Sequence, residues 1–267
     1  MKNNFTISFH ETFSLSRASI AQILENAFRN GKLDREFLAT TPLGTNYQKA
    51  MPRYAYRAGL IDEKKHLTVF GQYVARYDPQ MQQLGTQWLL HYHLAAPHGP
   101  TAFWHHLVGR RFLTGNTFTA TDLINDLSEF LRREAGKEPV WRSIRGTITI
   151  FTGTYLKSDG LNRLGLLEEI ENETYRVPAA PPPPLWALGY ALAEYWQARY
   201  GERLTVNLDH LSGDNFAGLF LLGENGFIEL LIQLKQEGMI DLYRISHPYQ
   251  VVLLQPNLEF ALERLYA

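Results

Sequence analysis

Cationic side chains at repeating intervals are the residues of this sequence with the plainest chemistry to offer. Lys49, Arg53 and Arg57 recur every fourth position, a spacing that lays them along one side of a helix. Asn46 and Gln48 stand just before them. Amides at a helix start can read adenine edges while the cations beside them hold phosphates. Lys64 and Lys65 follow in the polar turn Asp62-Glu-Lys-Lys65, where a hairpin tip would carry them to further phosphates. Arg142 and Arg145, with Thr149 and Thr152, repeat the theme on a later helical stretch. Together these groups suit capture of a polyanion, and double-stranded DNA is the one whose major groove admits a helix.

Other chemistries find less support. Five of the nine histidines lie between His91 and His106 (His91, His93, His98, His105 and His106), yet His91 and His93 point apart on a helix and no His-Glu-x-x-His occurs. A metal site needs ligands that converge, so no metal and no cofactor is expected. Neither common Gly-rich phosphate cradle is present, and Gly-x-Ser-x-Gly is absent. Glu168, Glu169 and Glu171 fall on a polar turn and read as solvated. The expectation is a protein without a catalytic site, a metal-dependent enzyme built on the histidine-rich middle being the remote alternative.

The elements that must position the cations can be read from punctuation. Ser16 is placed to cap a helix to Asn30, with Ile20, Ile23, Leu24, Ala27 and Phe28 at helical spacing and Gly31 ending it. A short helix near 33–39 and the turn Thr40-Thr-Pro-Leu-Gly44 lead to a helix from a Thr45 cap to Ala58, with Tyr47, Ala50, Met51, Tyr54 and Ala58 on its apolar face. Pro52 falls inside it, where proline removes a hydrogen bond at a cost of about 3 kcal/mol and kinks or ends the helix. Three times a helical stretch ends in Gly, two apolar residues and an acid: Gly59-Leu-Ile-Asp62, Gly165-Leu-Leu-Glu168 and Gly238-Met-Ile-Asp241. Each is followed, past a polar turn, by a second strand-like run: His66–Phe70, Thr174–Val177 and Gln250–Leu254. Helix, Gly, strand, turn, strand is how the third helix of a winged helix–turn–helix enters its wing. The fold class expected is therefore mainly α with small β-hairpin wings (α+β), in tandem winged-helix-like units.

The segments that follow are a winged helix–turn–helix unit over 1–80 and connecting helices over 81–116, from Gln80–Ala95 and Thr101–Phe112. A second winged-helix-like unit spans 117–178. In it Thr119 caps a helix to about Glu134, and Pro139 opens the next helix with Val140, Ile144, Ile148 and Phe151 inward. The tract Pro181–Pro184 marks a linker over 179–185, and an acidic helical or winged-helix-like unit fills 186–267. Its first helix, Leu185–Tyr200, is strongly aromatic. Trp186 and Tyr190 are its candidate partner contacts, and a further helix over 226–237 precedes the last hairpin.

Composition bounds the reading. The absence of Cys excludes disulfides, thiolate metal sites and a cysteine nucleophile. No apolar run is long enough to span a bilayer, and the opening MKNNFTISFHETF has no signal-peptide core, so a cytoplasmic protein is expected. The net charge of −1 conceals an asymmetry. Through Gly165 there are 20 basic and 13 acidic residues, a net of +7; from Leu166 onward there are 6 and 14, a net of −8. The first part can face a polyanion and the last would repel one.

Several local motifs carry a family resemblance: Phe9-His-Glu-Thr-Phe13, Leu43-Gly-Thr-Asn46, Ala58-Gly-Leu-Ile61, Leu67-Thr-Val-Phe-Gly71 and Trp88-Leu-Leu-His91. With these the chain resembles bacterial domain-of-unknown-function family 4007 over most of its length. The resemblance implies association with DNA phosphorothioation and phage-defence gene neighbourhoods, where a sulfurtransferase is a typical companion and possible partner. It supplies no catalytic residues. The combined expectation is a non-enzymatic DNA-binding accessory protein, contacting duplex DNA with its basic N-terminal part and a partner protein with its acidic C-terminal part. The alternative is a protein–protein scaffold with degenerate winged helices that does not bind DNA.

Overall fold

Three glycines punctuate the chain. Gly59, Gly165 and Gly238 hold φ of 75°, 63° and 72°, the left-handed region that glycine enters without strain. Each stops a helical stretch, and the chain after each pairs with a later segment. The computed structural model describes residues 7–40, 44–136, 138, 140–213, 215–244 and 248–267. It is a mainly α protein carrying small antiparallel sheets of three strands. Chain contacts divide it into two units, Met1–Pro181 and Pro182–Ala267.

The first unit opens with α1 (Arg17–Asn30), α2 (Arg35–Thr40) and α3 (Thr45–Arg57). Ser16 caps α1 by accepting the Ser19 N–H, and Gly31 ends it at φ 76°. Ile20, Ile23, Leu24 and Ala27 are buried, whereas Phe28, expected on the same face, is 47% exposed. Thr45 is the first helical residue of α3 rather than its cap; the cap position is Gly44, which offers no side chain. Pro52 sits buried inside α3, which neither ends nor breaks there. The residues of the preceding turn, Thr41 to Leu43, lie outside the described residues. The run His66–Phe70 forms no strand. A single bridge joins Ile61 and Leu67, and Thr68 then caps α4 (Val69–Tyr77) by accepting the Gly71 N–H. A threonine with a free acceptor before a helical run satisfies an otherwise orphaned N–H, which outweighs its strand propensity.

Then come α5 (Leu84–Ala95) and α6 (Ala102–Arg111), followed by β1 (Thr117–Thr119), α7 (Ala120–Phe130), α8 (Trp141–Leu156), β2 (Glu168–Glu171) and β3 (Thr174–Arg176). A π turn over Leu131–Ala135 ends α7 short of the expected limit. Thr119 and Asp122 form a reciprocal capping box at its start. Pro139 lies outside the described residues; Val140, expected inward, is 69% exposed at the cap of α8, while Ile144, Ile148 and Phe151 are buried. Threonine-rich 147–152 is helical against its strand propensity because the helix buries Ile144, Ile148 and Phe151 on one face; the hydroxyls of Thr147, Thr149 and Thr152 are satisfied by carbonyls one turn back. The sheet order is β1-β3-β2.

The second unit repeats that order. It runs α9 (Leu185–Tyr200), β4 (Thr205–Asn207), α10 (Leu208–Gly213), α11 (Glu224–Gln236), β5 (Ile240–Tyr243), β6 (Gln250–Leu253) and α12 (Leu258–Leu265). Its sheet order is β4-β6-β5, again with the last strand central. The short strands β1 and β4 had no sequence signal: at three residues each, no alternation can show.

Candidate nucleic-acid interface

The every-fourth-residue cations of α3 do not share one exposed face. Positions four apart on a helix drift by about 40°, so eight residues rotate the side chain by about 80°, and Arg57 arrives on the buried side. It is 8% exposed, its guanidinium lies 4.2 Å from the Phe9 ring centre, and burial lowers its pKa to about 10. Arg53 is half-buried and bound to Glu11 at 2.5 Å. Lys49 and Asn46 are exposed and Gln48 is half-buried. The stripe is thus reduced to Lys49, with Arg53 neutralised and Arg57 structural.

The hairpin turn keeps its charge. Lys64 is exposed and Lys65 half-buried at φ 70°, and neither has an ion-pair partner among the described residues. The Leu33 N–H donates to the Lys65 carbonyl at 2.9 Å, which brings exposed Lys32 beside them. Lys32 escaped the sequence reading because only this long-range bond makes it a neighbour. Nearby acids are engaged: Asp62 accepts the His66 N–H at 2.8 Å, and Glu63 the Tyr56 hydroxyl at 3.2 Å.

Helix α8 offers the more coherent surface. Trp141, Arg142, Ser143, Arg145, Gly146 and Thr149 are exposed along it, and the helix carries no acidic residue. Arg142 has no ion-pair partner among the described residues. Arg145 pairs with Glu173 at 2.7 Å across to the β2–β3 hairpin, both groups being about half exposed, which makes the pair weak in water. Thr152, expected to face out, is 3% exposed. Between α8 and the hairpin lies a groove of about 310 Å³ whose lining sets Arg145 and Lys157 against Glu169 and Glu173, with Thr149 and Tyr175 beside them.

The N-terminal segment braces α8 from behind. His10 accepts the Thr12 N–H at Nδ1 (3.1 Å), which leaves Nε2–H to donate to Thr147 Oγ1 at 3.1 Å. Burial holds this imidazole neutral, with a pKa of about 4. The Leu15 N–H reaches Thr154 Oγ1 at 3.3 Å, and Lys157 Nζ donates to Ser14 Oγ at 3.2 Å.

Four of the five middle histidines pack into the core or against it, and His98 is exposed. His91 Nδ1 lies 2.9 Å from the Tyr155 hydroxyl, which also accepts the Trp104 indole N–H at 2.8 Å. His93 stacks on Phe70 and His106 on Phe130. His105 Nδ1 is 2.7 Å from the Ala95 carbonyl. Burial lowers the pKa of both His105 and His106. Among the described residues no three His, Asp or Glu side chains gather as metal ligands.

The sequence profile of a family described as a protein of unknown function, DUF4007, matches residues 7–264. The chain belongs to the DUF4007 family. Comparison with curated proteins gives no match. Two solved structures share the fold of this DUF4007 chain. Magnesium ion-bound SspB gives a TM-score of 0.75 and SspB a TM-score of 0.73. In both, identity is 19%, with 97% of this chain and 87% of SspB covered.

In the second unit of the DUF4007 chain the expected partner contacts are largely enclosed. Tyr190 is 3% exposed, so its ring offers nothing to a partner. Helix periodicity assigns residues to faces, but α9 is apolar on every side through its middle and buries Ala187 to Ala193 whole. Trp186 is half-buried, edge-on to Phe260 at 5.7 Å and capped by Arg264 at 5.2 Å. The exposed face of α11 instead bears Glu224, Glu229 and Gln233. Lys235 there is bound to Asp241 at 2.6 Å. Among the described residues no helix is long and apolar enough to cross a membrane.

Proposed function

We propose that this DUF4007 chain is a DNA-binding accessory protein of a bacterial DNA-modification and phage-defence system. The two modules with matching strand order are read as winged helices, in which the third helix enters the major groove and the hairpin flanks it. The observation that carries the reading is the exposed, acid-free face of α8 with Arg142 and Arg145. Lys32, Lys64 and Lys65 add phosphate contacts from the first turn region, and binding is chiefly by backbone charge. The setting of DNA phosphorothioation, with a sulfurtransferase as companion, follows from the family resemblance.

A second unit with Glu224 and Glu229 on the equivalent helix would repel DNA and is assigned to a protein partner. Leu204, Tyr243 and Leu254 are 69%, 49% and 50% exposed there, apolar surface of the kind that partner proteins cover. The test is a duplex gel shift at low salt, with and without magnesium, given the magnesium ion in the SspB structure. Binding should weaken linearly in log salt, and strand integrity is read on the same gel. Absence of any duplex complex at low salt would remove the reading.

A further inference from the structure

Trp141 is 59% exposed and the neighbouring Val140 69% exposed. The other four tryptophans lie inside: Trp88, Trp104 and Trp196 are at most 1% exposed, and Trp186 is half-buried against Phe260 and Arg264. A large ring left in water at the tip of a well-packed 16-residue helix forgoes the burial that holds every other tryptophan in place. Its surroundings say what covers it. Arg145 lies one turn on from Trp141 and three residues from Arg142, so the ring and both guanidinium groups share one exposed edge. The cap position of α8, Val140, makes no side-chain cap bond, and both guanidinium groups lie in the first turns at the positive end of the helix. An apolar partner protein would meet two cations here. A nucleobase attached to its phosphate meets a ring to stack on and donors for the charge.

We infer that Trp141 is a stacking platform for an unpaired DNA base, with the adjoining phosphate held by Arg142 and Arg145. The inference rests on the DNA-binding reading and sharpens it from duplex capture to recognition of interrupted duplex. It is tested with the full-length chain, using a fluorescein-labelled duplex and the same duplex carrying a central single-stranded gap. The gapped DNA should bind about 10-fold tighter than the intact one and quench tryptophan emission. Because Trp88, Trp104 and Trp196 are enclosed and Trp186 is covered by Phe260 and Arg264, W141F should abolish the quench while keeping the preference within about threefold, since phenylalanine still stacks. W141A should lose the preference, read as the ratio of gapped-duplex to intact-duplex affinity falling to about one. Equal affinity for the two DNAs, or a preference that survives W141A, overturns the inference while duplex binding stands. Failure to bind either DNA withdraws the DNA reading and the inference together.

Discussion

Residues 102–177 and residues 185–253 are built on one plan and present opposite surfaces. Each runs helix, short strand, helix, helix, hairpin, with the last strand in the centre of its sheet. In the first, the third helix α8 shows Arg142 and Arg145 and no acid; in the second, α11 shows Glu224 and Glu229. What the two share is buried: Ile144, Ile148 and Phe151 in one, Phe227, Leu231 and Leu234 in the other. Core residues fix the plan, and the exposed side of the same helix is left free to carry opposite charge. The helices also differ in support. The N-terminal segment braces α8 through His10, Leu15 and Ser14.

The brace gives the largest expected effect. His10 has a pKa of about 4 when folded and an ordinary value of 6.5 when unfolded, so the unfolded chain takes up the proton first. Stability is full above pH 6.5 and falls as the pH drops toward 4, by about 3 kcal/mol from this residue. The lowered values of His105 and His106 act in the same direction. Urea unfolding midpoints at neutral and acid pH should show the loss, and H10N should flatten it. Equal pH dependence in H10N would mean that the brace has another basis.

Next in size is the charge contrast. Reversing α8 with R142E and R145E should weaken duplex binding by roughly 30-fold at low salt and flatten its salt slope. E224K with E229K on α11 should leave binding within about threefold by the same measure. If both pairs act equally in a gel shift, the two surfaces do not have separate roles.

The smallest effect concerns the handover from strand to helix. Thr119 ends β1 and caps α7, and Asn207 ends β4 just before α10. T119A should cost about 1 kcal/mol through loss of the capping box. Asn207 has no cap bond among the described residues, so N207A should cost only a few tenths of a kcal/mol. Thermal melts of the two variants test whether the shared plan extends to its joints.

Much of this plan was legible beforehand. Ser16, Thr119, Gly59, Gly165 and Gly238 act within a few residues of themselves, so caps and helix stops could be read directly. The two hairpins after Gly165 and Gly238 followed from the same local logic. The candidate interface was legible only in part. Arg142, Arg145 and Lys64 are exposed and Lys65 is half-buried, whereas Arg57 and Tyr190 are buried, because periodicity says which residues share a face and not what that face meets. Lys32 and Trp141 went unread, one for want of a long-range bond and the other because Val140 beside it was assigned to the core.

The sequence alone determined the mainly α class, the hairpins after Gly165 and Gly238, the glycine stops and the split of charge at Gly165, since each depends on local geometry or on simple counting. Only the tertiary structure decided which cations reach water, that His10 braces α8, and that two modules share a strand order. Those outcomes depend on contacts between residues far apart in sequence, such as His10 with Thr147 and Leu33 with Lys65. Spacing along the chain carries no record of such contacts, which exist only once burial has chosen among the faces each helix offers.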